Sequence, residues 1–206
     1  MQESKSLDRT SRSSEPLVAE LQEYRQQFEA IREDTRELLA GLTDAQFNWR
    51  VAPGSWSIAE CLAHLNVTGQ LTLQSIDHSL KKVQAEPETF NHGPFRRSLL
   101  GRLAIWGIEP PAKIKVKAPK LFTPLPEHLV AVVAPAFISL HEQLLRRLQQ
   151  ANGLDLARIK VTSASSNLFK MNLGQTFAFI AAHERRHLWQ ARQVKNNPGF
   201  PRSQAG

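Results

Sequence analysis

His183 and His187 lie four residues apart in the stretch Phe177 to Gln190, FAFIAAHERRHLWQ. On a helix, positions i and i+4 are one turn apart on the same face, so two imidazoles there can converge on one cation. Steps of three and four through Thr176, Ile180, His183, His187 and Gln190 put both rings on an inward-facing stripe. Two imidazoles buried side by side leave ring nitrogens unsatisfied, at a cost on the order of 1 to 3 kcal/mol each. A shared divalent cation would satisfy both, as would backbone carbonyls or water at the end of a helical bundle. The pair alone leaves these alternatives open. A third histidine, His64, takes a comparable inward position more than a hundred residues upstream, so the function turns on whether the three meet.

The string His183-Glu184-Arg185-Arg186-His187 also matches the H-E-x-x-H signature of zinc metalloproteases. Those enzymes take a third ligand downstream of the motif, whereas residues 188 to 206 contain no His, Asp or Glu. A third ligand must therefore come from upstream, which argues against a protease of that type. Two catalytic candidates follow from position. Glu184 could act as a general base on a metal-bound water, against the plainer reading of a solvated or ion-paired surface glutamate, and Gln190, one turn beyond His187, could orient a ligand or that water. Cys61, one turn before His64, is a candidate fourth ligand but reads better as a small core residue. His141 shares a stripe with Phe137, Leu144 and Leu148 and reads as a satisfied core or rim histidine, with an approach to the metal as the alternative. His78, His92 and His128 have no constellation around them. Trp56 and Trp189 flank the two histidine motifs and could wall a pocket; Arg185 and Arg186 read as solvated cations or as an anion site.

The elements that must position these residues are helices. Leu17, Leu21, Tyr24, Phe28, Ile31, Leu38 and Leu42 recur at spacings of four and three, interrupted only by Thr35, and predict a helix over 16–42 with Ser14 as its cap and Gly41 with Thr43-Asp44 at its end. Ser57-Ile58-Ala59-Glu60 is a capping box that opens a second helix over 58–84 and points His64 towards its neighbours. Residues 86–126 carry seven prolines and read as a long crossover, with a short helix over 98–108 and a brief strand over 113–117. A third helix is expected over 127–150, kinked or delayed by Pro135, and a fourth from Asn172 to about 195, stopped by Asn196-Asn197-Pro198. Two short joins and one long crossover between four long helices describe an all-α fold, an antiparallel four-helix bundle.

Composition is consistent with one domain, 16–206, behind a polar, serine-rich tail over 1–15 that reads as disordered. No apolar run approaches the roughly 20 residues of a bilayer span, so no membrane partner is expected. Without an apolar signal core and with a single cysteine, the chain reads as cytoplasmic. The net charge of +7 favours anionic partners. Its basic residues are dispersed and accompany no nucleic-acid-binding motif, so nucleic acid is not expected as a partner.

Pro53 to Leu65 (PGSWSIAECLAHL) together with Ala182 to Gln190 (AHERRHLWQ) resembles the DinB and YfiT-like superfamily, in which W-S-x-x-E-x-x-x-H-L opens helix two and H-x-x-R-H-x-x-Q lies on helix four. The resemblance covers nearly all of the chain from about Leu17. It implies an up-down-down-up bundle binding a divalent metal, Zn or Ni foremost, through His64, His183 and His187, with water in an open position. Members include metal-dependent transferases of bacillithiol- or mycothiol-type thiols, thiol-dependent maleylpyruvate isomerases and hydrolases. The implied function is a thiol S-transferase or hydrolase acting on a small-molecule substrate through a metal-activated thiolate or water, with a low-molecular-weight thiol as a second cofactor. The alternative is a non-enzymatic metal-binding stress-response protein whose cation is closed off by a fourth protein ligand. A homodimer is compatible with the sequence.

Overall fold

The structure is a computed structural model that describes residues 16–83, 99–111, 119, 122–163 and 166–202. Among them are six helices, α1 (Ala19–Leu39), α2 (Asp44–Asn48), α3 (Ile58–Val83), α4 (Leu99–Ile108), α5 (Val130–Gln150) and α6 (Leu173–Lys195), with a two-stranded antiparallel sheet of β1 (Lys160–Ser163) and β2 (Ser166–Asn172) before α6. The four long helices form the expected all-α bundle. Helix α1 packs on α5 and α6, and α3 packs on the same two, so α5 and α6 face each other across a diagonal.

Side-chain bonds between helix ends fix the directions. Asn152, just past the end of α5, reaches the start of α1, so those two run antiparallel. Asp77 near the end of α3 holds Arg147 near the end of α5 at 2.7 Å, so α3 and α5 run parallel. Lys195 at the end of α6 donates to the Leu38 carbonyl near the end of α1, making that pair parallel too. The Ser79 hydroxyl, late in α3, donates to the carbonyl of Lys160 in β1, which sits beside the start of α6. The order is therefore up-down-down-up, as the resemblance implied, with two neighbouring pairs antiparallel and two parallel. A 26-residue α3 rises about 39 Å, and the chain must travel back over that length before a parallel α5 can begin. That return is why the crossover is long.

The core matches the expected stripes. Leu21, Tyr24, Phe28, Ile31 and Leu38 of α1 are buried, and Thr35 is buried among them because its hydroxyl donates to the Ile31 carbonyl at 2.8 Å. Several boundaries differ from the sequence reading. Helix α1 begins at Ala19 rather than residue 16, and its N-cap, Val18, offers no side chain for capping. Asn152 does that work from across the bundle: its side-chain oxygen accepts the Val18 N–H at 3.0 Å and its amide donates to the Pro16 carbonyl at 3.0 Å. Ser14, the expected cap, lies outside the described residues, as do the tail over 1–15 and the strand expected over 113–117. Helix α5 starts at Val130, five residues before Pro135, so the proline does not delay its start. Thr43, read as a stop, opens α2 with a capping box of its own through Gln46.

Asn152 ties two chain segments that nothing local would hold. Asn152→Ala is expected to cost about 1–2 kcal/mol of stability, the range of a lost N-cap, and Asn152→Asp, which keeps only the acceptor, should fall between the two. Urea denaturation of the three proteins checks this; an unchanged midpoint for the alanine variant would remove the capping role.

Candidate metal centre

The first ligand candidate is positioned by the start of α3. The Ser57 N–H donates to Glu60 at 2.9 Å and the Glu60 N–H donates to the Ser57 hydroxyl at 3.1 Å, which is the reciprocal box expected from the sequence. Glu60 is buried and its other oxygen holds Arg50 at 2.7 Å. His64 follows one turn later, buried and facing α6. At the start of α6 the side-chain oxygen of Asn172 accepts the Gln175 N–H at 2.8 Å, and His183 and His187 follow on the face turned to α3.

The three rings meet. Nε2 of His64 and Nε2 of His183 are 3.3 Å apart, and one nitrogen from each of the three histidines lies within 4.8 Å of the others. Ring centroids are 4.6 Å apart for His64 and His187 and 4.7 Å for His183 and His187. Nδ1–H of His64 donates to the Phe122 carbonyl at 2.7 Å. A carbonyl only accepts, so this bond places the proton on Nδ1 and leaves the Nε2 lone pair directed at the other two rings. Desolvation lowers all three pKa values. Burial, then the charges of His64 and Arg186, pushes His183 down to about 3; burial, then His183, His64 and Arg186, pushes His187 down to about 2. For His64 burial also lowers the value, against the opposing pull of the Phe122 carbonyl.

Three neutral imidazoles with converging lone pairs are the donor set a borderline divalent cation takes. Nδ1 of His187 is buried without a hydrogen-bond partner, an orphan that a cation or water would satisfy. The residues present fit a metal ion. Among the described residues no other His, Cys, Asp or Glu joins the cluster.

Aromatic rings wall the cluster. Trp56 stacks on His187 with centroids 5.5 Å apart and planes 24° apart, and its centroid is 5.0 Å from that of His64. Phe179 stacks on His183 at 5.7 Å and 12°. Gln190 lies near enough to His187 to favour its protonated form, and Arg186 is close enough for its charge to disfavour protonation of both α6 histidines. Arg185 is not a solvated cation: it is paired with Glu109 beyond α4 and donates to Gln27 of α1 at 2.9 Å.

Other candidates settle elsewhere. Cys61 is fully buried, and desolvation followed by the Glu60 charge pushes its thiol far above the usual range, so it remains a protonated core side chain. Glu184 is not on the surface; it is 2% exposed, with its carboxylate 3.4 Å from Nε2 of His141. Steps from Phe177 through Ala181, Glu184, Leu188 and Ala191 trace a second, fully buried stripe, and that periodicity was available in the sequence. His141 is a core histidine whose Nδ1 donates to the Phe28 carbonyl at 3.0 Å. His78 is exposed, His128 is partly buried in the crossover and His92 lies outside the described residues. Trp189 is half-buried on α6. Sequence reasoning missed Phe179 and the Phe122 carbonyl. Phe179 precedes His183 by one turn and was legible; a backbone carbonyl in a crossover leaves no trace in the sequence.

Histidines held neutral by burial make stability depend on pH. Between about pH 6.5 and 3 the unfolded chain binds protons at His183 and His187 that the folded chain does not. The metal-free protein should therefore lose stability as pH falls below about 6.5, each such imidazole contributing about 1.4 kcal/mol per pH unit. Urea titrations of wild type and His187→Gln at pH 7.5 and 5 check the sign: the variant should lose less, and an equal loss would mean that His187 is not the source.

A family model described as DinB superfamily matches residues 27–191, a span that takes in all three histidines, the capping box of α3 and the Asn172 cap of α6. No match was found among curated proteins or among solved structures. With the family model covering most of its length and the histidines of the two motifs gathered in the bundle, the chain belongs to the DinB superfamily.

Proposed function

We propose that this protein is a divalent-metal-dependent S-transferase that joins a low-molecular-weight thiol, of the bacillithiol or mycothiol type, to a small electrophile, with His64, His183 and His187 holding Zn or Ni. The observation that carries the reading is the convergence of three neutral imidazoles with no fourth protein ligand among the described residues. Three histidines leave a position open, which suits a catalytic rather than a structural site and weighs against a closed, purely metal-storing protein. A divalent cation held there supplies Lewis acidity, lowering the pKa of a coordinated thiol or water into the neutral range.

The chain's own residues then have separable tasks. Phe122 fixes the tautomer of His64, and Gln190 orients His187. Trp56 and Phe179 present apolar faces on which an electrophile can lie. The Arg186 guanidinium favours negative charge at the cluster, whether on the thiol sulfur or on a carboxylate of the thiol cofactor. In the reaction the thiol sulfur bonds the electrophilic carbon, the leaving group departs with its electron pair, and the thiol proton passes to solvent. Thiol chemistry is favoured over hydrolysis because Glu184, the candidate general base for water, is directed to His141 in the core, whereas a thiol needs no such base once its pKa is lowered. The reading places the protein in the cytoplasm, where such thiols are reduced.

The test is elemental analysis of the purified protein followed by thiol-consumption assays with a bacillithiol-like thiol and a model electrophile. One equivalent of metal is expected, with turnover that falls to background on chelation, returns on adding metal, and is lost in His64→Ala. Full activity after chelation would defeat the mechanism, and metal bound without any turnover would favour the storage reading.

A further inference from the structure

Glu184 and His141 form a buried polar pair across the α5–α6 diagonal, at 2% and 0% exposure. Neither carboxylate oxygen has a hydrogen-bond partner, nor has Nε2 of His141, and the 3.4 Å approach between them is a polar contact rather than a hydrogen bond. Burying polar groups without hydrogen-bond partners is costly, and apolar residues of similar volume commonly serve packing as well or better. Its presence therefore asks for a reason other than stability. Through the His141 bond to the Phe28 carbonyl, the pair joins α1, α5 and α6 in one line through the centre of the bundle. Phe28 and Phe137 hold the His141 ring, edge-on at 5.9 Å and tilted at 4.6 Å.

We infer that Glu184 and His141 are positioning residues that fix the rotation of α6 about its own axis and so set where His183 and His187 present their nitrogens to His64. The inference rests on the metal-centre reading above. Residue 184 is turned about 100° from residue 183, so the inward stripe and the histidine face rotate as one body. A side-chain atom roughly 5–6 Å from the helix axis moves about 1 Å for a 10° rotation, several times the ±0.2 Å within which metal–ligand distances must fall. Phe177 and Leu188 anchor this inward face, but the buried positions between and around them are alanine, at Ala178, Ala181, Ala182 and Ala191, and offer little shape to resist a rotation of a few degrees. Small side chains slide; a buried carboxylate set against the His141 ring does not, since another rotation would take away its polar neighbour and leave it among apolar side chains.

The experiment compares the full-length wild type, Glu184→Gln and the double variant Glu184→Leu/His141→Leu, each stripped of metal and titrated with Co²⁺. Thermal melting of the metal-free proteins is recorded in parallel. The double variant should melt at or above the wild-type temperature, bind Co²⁺ about 10- to 100-fold more weakly, the range for loss of groups that orient ligands, and give a shifted visible absorption band. Glu184→Gln keeps the size and polarity of the side chain, its amide can donate to Nε2 of His141, and it should stay close to wild type in both affinity and spectrum. Co²⁺ affinity and spectrum unchanged in the double variant would overturn the inference while leaving the metal centre standing. Loss of folding in the double variant would overturn it too, by showing that the pair holds the bundle itself. A wild type that binds no Co²⁺ would instead remove the metal reading and this inference with it.

Discussion

Everything at this site follows from bringing three imidazoles together where water is scarce. Desolvation holds them neutral, neutrality leaves lone pairs on their ring nitrogens, and nitrogens gathered this closely could hold a metal ion. The same burial that makes the rings good ligands makes them costly for the fold, since each is a polar group removed from solvent with few protein partners. His64 escapes part of that cost through the Phe122 carbonyl and His187 through Gln190. What is left over, including the orphan Nδ1 of His187, is a need for a partner that a cation or a water could meet.

The topology serves this demand. An up-down-down-up order sets α3 antiparallel to α6, so residues early in α3 meet residues in the second half of α6, where the two histidine motifs lie. It also obliges the chain to return the length of the bundle between α3 and α5. The far end of that return supplies Phe122, whose carbonyl holds the first histidine. On the other side, α4 packs along α6 and Glu109, just beyond it, takes Arg185, which lies between His183 and His187. The crossover is thus both a topological necessity and part of the site's outer support.

Much of this was legible in the sequence for physical reasons. Heptad-like spacing in α1, the Ser57–Glu60 box and the i, i+4 histidines each report a local geometry that local residues determine, and each was found as read. The convergence of His64 with the α6 pair needed the resemblance, because no rule of spacing joins residues so far apart in the chain. Errors fell where partners were distant or where one of two stripes had to be chosen. The cap of α1 comes from Asn152 rather than from its own flank, and in the β1–β2 pair one strand has four residues while Leu168 and Phe169 adjoin in the other, leaving little alternation to read. Glu184 reads as a general base or a surface residue because it is charged, although Ile180, Ala181 and Leu188, three and four positions away, put it in the core. A buried charge is the kind of residue for which composition and periodicity disagree, and periodicity prevailed.

The central claim is that residues 64, 183 and 187 together ligate one cation and leave it open. X-ray absorption at the zinc edge of the loaded protein tests this most directly. The account predicts nitrogen or oxygen scatterers at about 2.0–2.1 Å, the outer-shell pattern of three imidazoles, and a light-atom fourth ligand that changes when a thiol is added. A sulfur scatterer in the protein alone, or fewer than three imidazoles in the outer shell, would contradict it.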